Sequence, residues 1–164
     1  VGADAFAACA HDFVERHPPA EPRLCLYGDG FGMHLSGWPP FAELPFLRDM
    51  ATLERLVVEA LFAADADPLD PGAVASAPDP DMPLVLHPAT RIAAFDCPAA
   101  SLWLAHQGDA GQALEAIDWM PEIALVTRPG LTIEVHAIAP AAHAFLAGPT
   151  LGEAAAAEIG RAHV

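Results

Sequence analysis

Lysine is absent from the 164 residues, and seven arginines stand against 22 acidic side chains, a formal net charge of −15. Nucleic acids and anionic membrane surfaces are held by cations gathered on one face, so neither is an expected partner. Without lysine there is also no Gly-Lys-Ser/Thr phosphate loop. Long apolar runs are missing: none approaches the roughly 18 residues that cross a bilayer. The first residues carry no basic stretch followed by an apolar one, so no secretory signal is expected. Cysteine is scarce as well. Cys9, Cys25 and Cys97 are odd in number and scattered, which argues against a disulfide framework and for a reducing cytoplasm.

The apolar share is 54%, but alanine alone supplies 36 residues, so core volume must come from few large side chains. Their spacing predicts a helix over residues 4–17, with Phe6, Cys9, Phe13 and Val14 on one face and Asp4 as its cap. A glycine-interrupted helical passage over 23–36 and a turn at Trp38-Pro39-Pro40 follow. A longer helix over 45–64 carries Leu47, Met50, Leu53, Val57 and Leu61 as its stripe, with Arg55 and Glu59 paired on the opposite side. Residues 65–83 mix five prolines with five aspartates and read as an acidic linker. Strands are predicted at 84–86, 91–95, 122–127 and 131–137, with Arg128-Pro129-Gly130 turning the last two into a hairpin. Short helices are predicted at 101–106, 141–147 and 150–157. The expected fold class is α+β: a helical domain over 1–64, the linker, and a small α+β domain over 84–157. Back-translated, Glu158-Ile159-Gly160-Arg161-Ala162-His163-Val164 matches a common sequencing adapter, so residues 158–164 are expected to be foreign.

Chemistry-bearing groups are sparse. Gly28-Asp29-Gly30-Phe31-Gly32 has Met33 where a dinucleotide fingerprint needs glycine, and reads as a helix–helix corner. Asp65, Asp67 and Asp70 fail the calcium-loop pattern at Leu69 and Asp70. Cys9 and His11 fall on different helix faces, and no Cys-x-x-Cys or workable histidine pair exists, so no metal and no cofactor is expected. Ser101 reads as a helix cap, and Cys97 as a buried strand-end thiol rather than a nucleophile. No catalytic residue is expected.

Several segments in order carry a resemblance. They are His17-Pro18-Pro19 with Tyr27-Gly28 and Phe31; Leu44-Pro45-Phe46-Leu47 with Asp49-Met50-Ala51 and Leu53-Glu54; and Ala63-Ala64-Asp65-Ala66-Asp67-Pro68-Leu69. Leu86-His87-Pro88, Pro98 with Trp103, Arg128-Pro129-Gly130, and Gly148 with Thr150-Leu151 follow. Over residues 1–157 the chain resembles the HvfC/BufC family, whose members are often labelled DNA-binding. The resemblance implies a helical domain, whose first helices would precede Val1-Gly2, and then an α+β domain. It further implies a non-catalytic partner of a multinuclear-iron oxygenase of HvfB/BufB/MbnB type. Such enzymes modify cysteines of a ribosomal precursor peptide, often in copper handling, and the partner holds the leader. At Glu59-Ala60-Leu61-Phe62 the chain departs from relatives with Tyr-His-type residues.

Charge separates this reading from a DNA-binding regulator, since residues 1–64 hold four arginines against nine acids. The expected peptide site lies on the hairpin. Leu131, Ile133 and Val135 alternate with Thr132 and Glu134, so an added strand would find an open edge there, and Arg128 would meet an acid of the peptide. Helices missing from the start would leave Phe6, Phe13 and Leu53 partly exposed.

Overall fold

A computed structural model describes residues 2–67, 85–107 and 114–148, with Gly72, Asp81 and Pro83 besides. Most of the linker, the helix predicted at 150–157 and residues 158–164 lie outside the described residues; of the strand predicted at 84–86, Val85 and Leu86 are described, exposed and not in a strand. Apolar spacing at the helical period produces α1 (Ala3–Arg16), which stops where His17-Pro18-Pro19 cannot continue it. Its cap is Gly2, not Asp4; Asp4 sits in the first turn, where its charge suits the exposed N–H groups.

The glycine corner behaves as the sequence suggests, with one refinement. Gly28 and Gly30 take φ of +101° and +82°, the left-handed region open to glycine, and Gly30 opens α2 (Phe31–Ser36). Gly32 serves a different end. A Cβ there would stand 2.8 Å from the Arg48 carbonyl oxygen, so its lack of a side chain lets α2 lie against α3 (Phe46–Leu61).

Two faces of α3 are buried against different partners. Leu53 and Ala60, seven residues apart, enter the main core with Phe95, Leu102, Ala124, Val126 and Val135. Leu47 and Ala51 turn instead toward Cys9, Leu35 and Phe41. Leu61, predicted inside the stripe, is 46% exposed because Ala60 takes the buried position in the last turn.

The α+β class is established by the second half. β1 (Arg91–Phe95), β2 (Glu122–Thr127) and β3 (Glu134–Ile138) form an antiparallel sheet in that order. The register places Phe95 opposite Glu122, Val126 opposite Val135, and Thr127 opposite Glu134. Between β1 and β2 the chain forms α4 (Ala99–Gln107), and after β3 it forms α5 (Pro140–Leu146). Helices α3 and α4 pack on the sheet, where Ala124, Val126 and Val135 point inward. Ser101 is not a cap: it lies inside α4, and its N–H and hydroxyl both donate to the Glu122 carboxylate, tying α4 to the start of β2.

Candidate functional site

The hairpin is the site the sequence singles out, and its geometry differs from expectation at both ends. β3 begins at Glu134, so Leu131, Thr132 and Ile133 belong to the connection, not to the strand. The reason is the turn: Gly130 adopts φ of +62°, and the Thr132 N–H donates back to the Pro129 carbonyl at 3.3 Å. Leu131 stands 86% exposed at the tip, while Ile133 packs beside the main core. Within β3 the alternation holds, with Val135 buried, Glu134 and His136 outside, and their side chains 3.2 Å apart. In the order β1-β2-β3, β3 is an edge strand among the described residues.

Arg128 departs furthest from its expected role. It is 8% exposed, and its guanidinium donates to the carbonyls of Ala60 (3.0 Å) and Ala63 (2.8 Å) and to the Asp65 carboxylate (3.0 Å). The last carbonyls of a helix have no partner within it, and a cation there is favoured by the helix dipole. Arg128 therefore clasps the end of α3 to the end of β2, and Asp65 takes the place imagined for a peptide acid. Its sequence signal, a turn arginine before Pro-Gly, carries no hint of a helix carbonyl 68 residues earlier.

Glu59 makes a second tie. One carboxylate oxygen accepts from Arg55 at 2.9 Å and the other from Arg91 at 3.0 Å, joining α3 to β1. Burial would raise this carboxyl, but the two arginine hydrogen bonds outweigh it and hold the group below the usual carboxylate range. The expected Arg55–Glu59 pair forms, and Arg91 extends it into a half-buried bridge to the sheet.

Cys97 is buried at the end of β1. Burial first, and then the neighbouring Asp49 carboxylate, push its thiol up to about 12, the reverse of what a nucleophile needs. Cys9 is likewise fully buried, and burial raises its thiol too. Among the described residues, no group of three His, Cys, Asp or Glu side chains is placed to share a metal ion. No helix among them is long and apolar enough to cross a membrane.

Sequence reasoning missed two concave surfaces. A groove of about 350 Å³ runs between α1, α2 and α3, walled by Phe6, Phe13, Leu24, Phe31 and Val58. Phe6 is 46% exposed there, as anticipated, but Phe13 and Leu53 are buried. Phe13 is covered by the rings of Tyr27, Phe31 and His34 at centroid distances of 5.1–5.8 Å. The second surface, a cleft of about 290 Å³, lies where the start of α3 meets the turn after β1. Compared with family models, curated proteins and solved structures, the chain finds no match in any of the three.

Proposed function

We propose that this chain is a non-catalytic recognition subunit that works in the cytoplasm. It holds the leader of a Cys-containing ribosomal precursor peptide for a multinuclear-iron oxygenase of HvfB/BufB/MbnB type. The family resemblance supplies the partner class. The observation that supports the binding mode is the outer edge of β3, which pairs with no further strand among the described residues, on a sheet fixed from behind by α3 and α4. An edge strand offers a row of backbone donors and acceptors to an extended peptide, and the backing helices keep that row in place. Arg128 supports this role indirectly, by fixing the end of β2 beside which β3 runs.

A DNA-binding regulator is the second reading, and the charge of −15 disfavours it. Co-expression with the iron oxygenase and precursor genes of the same locus tests the proposal. The expected outcome is a complex of chain, enzyme and peptide that survives gel filtration, with peptide capture lost when the leader is deleted. Capture of a DNA duplex at low salt, with no peptide or enzyme retained, would favour the regulator.

A further inference from the structure

Seven arginines share 22 acids, so each guanidinium has carboxylates within easy choice. Among the described residues Arg16 pairs with Asp12, Arg23 with Glu21, Arg55 and Arg91 with Glu59, and Arg128 with Asp65. Among the described residues Arg48 has no ion pair and its side chain donates no hydrogen bond. The cause is local: the positions three and four residues away are Leu44 and Pro45, just before the helix, and Ala51 and Thr52 on it, none of them acidic. Asp49 is adjacent, but its carboxylate accepts the N–H groups of Asp96 and Cys97 at 3.1 and 3.3 Å.

Arg48 lines the second cleft, together with Phe41, Phe46, Trp119, Asp49 and Asp96. Trp119 is 60% exposed and meets Phe46 edge-to-face at 5.6 Å, and Met120 beside it is 63% exposed. Tryptophan, arginine and methionine are the types that concentrate at binding hot spots, where partners recover the hydration cost of a large exposed ring. Asp49 makes the floor rigid by holding the turn after β1.

We propose that this cleft binds a peptide segment in which a carboxylate neighbours an apolar side chain. The carboxylate pairs with the guanidinium of Arg48, whose fork of N–H donors suits two oxygens, and the apolar group lies against Trp119 and Phe46. Asp96, exposed and with no side-chain partner among the described residues, lines the same cleft and would oppose a second negative charge on the ligand. The cleft stands at the end of the sheet where Phe95 faces Glu122, opposite the hairpin connection, so the inference does not rest on the use of the β3 edge.

The test uses the full chain labelled with ¹⁵N and the probes acetyl-Phe-Glu-amide, acetyl-Phe-Gln-amide and acetyl-Phe. Trp38, Trp103 and Trp119 give three indole N–H signals, and Trp119→Phe identifies the third. The acidic dipeptide should move the Trp119 signal and bind about three- to tenfold tighter than its amide counterpart. Arg48→Gln, an exposed helical change expected to leave melting unaltered, should erase that preference; Arg48→Lys should keep part of it, and Asp96→Asn should strengthen it. Equal or tighter binding of acetyl-Phe would place the carboxylate at a peptide C-terminus, with the same chemistry upheld. Equal binding of acid and amide, a preference that survives Arg48→Gln, or a Trp119 signal unmoved by any probe would overturn the proposal.

Discussion

One side of α3 is welded to the sheet, and the other leans on α1 across an open groove while α2 lies close against it at Gly32. Toward the strands, Leu53 and Ala60 are fully buried, Glu59 bridges to Arg91, and Arg128 satisfies the last carbonyls of the helix. Toward α1 rings gather around an open groove, with Phe6, Val14 and Leu24 left 46–75% exposed, while Leu47 and Ala51 beside it pack on the buried Cys9, Leu35 and Phe41. Both sides began from one amphipathic pattern, so the pattern alone does not say which face becomes rigid. Rigidity follows where apolar burial and satisfied polar ties coincide. Function is expected to use that stiffness on the sheet side, where a strand edge must hold its register to accept a peptide.

If the weld is real, damage there should be severe. Leu53→Ala removes a fully buried side chain at the junction of helix and sheet, and should cost about 3 kcal/mol in denaturant unfolding. Arg128→Met keeps the bulk but strips the donors from the helix end, leaving the Ala63 carbonyl and the Asp65 carboxylate without their guanidinium. A loss of about 2 kcal/mol is expected, with the amides near residues 60–64 becoming the first to exchange with solvent.

The Glu59 bridge sharpens the contrast through pH. Its folded-state carboxyl lies below the usual range, so its contribution is present above the unfolded value near 4.5 and disappears as acid lowers the pH through the folded value. Glu59→Gln should lower stability at neutral pH by about 1 kcal/mol and flatten this part of the acid profile, read from melting midpoints between pH 6 and 3. On the leaning side the effect should be small. Phe6→Ser should change stability by about 0.5 kcal/mol or less while reducing self-association in sedimentation, because the ring is half exposed. A loss as large as that of Leu53→Ala would mean that the groove face is as tightly packed as the weld.

What could be read from the sequence follows the range of the interactions. Helices α1 and α3 and strands β1 and β2 arise from local periodicity, and β2 matches its expected limits at both ends. The start of β3 was misplaced because Leu131 and Ile133 continue the alternation, whereas the turn hydrogen bond from Thr132 delays pairing until Glu134. The Arg55–Glu59 pair is legible and forms, but the distant partners of Arg128, Glu59 and Ser101 are not, for a shared reason. Each acts on a residue at least 21 positions away, and no local pattern announces such a partner. The two concavities escaped notice because they are shared by three or more segments, and an unpaired Arg48 becomes visible only once the other arginines have found their acids.

The central claim is that β3 receives an extended peptide along its free edge, and residue-resolved hydrogen exchange examines it most directly. In the free protein, alternate N–H groups of Glu134–Ile138 should face away from β2 and exchange fast, while those paired with β2 are protected. Addition of the precursor leader from the same locus should slow the fast set by about tenfold or more at saturation, and leave the amides around the α1–α2–α3 groove unchanged. Protection that appears at the groove while the outward amides of β3 keep their free-state rates would contradict the account.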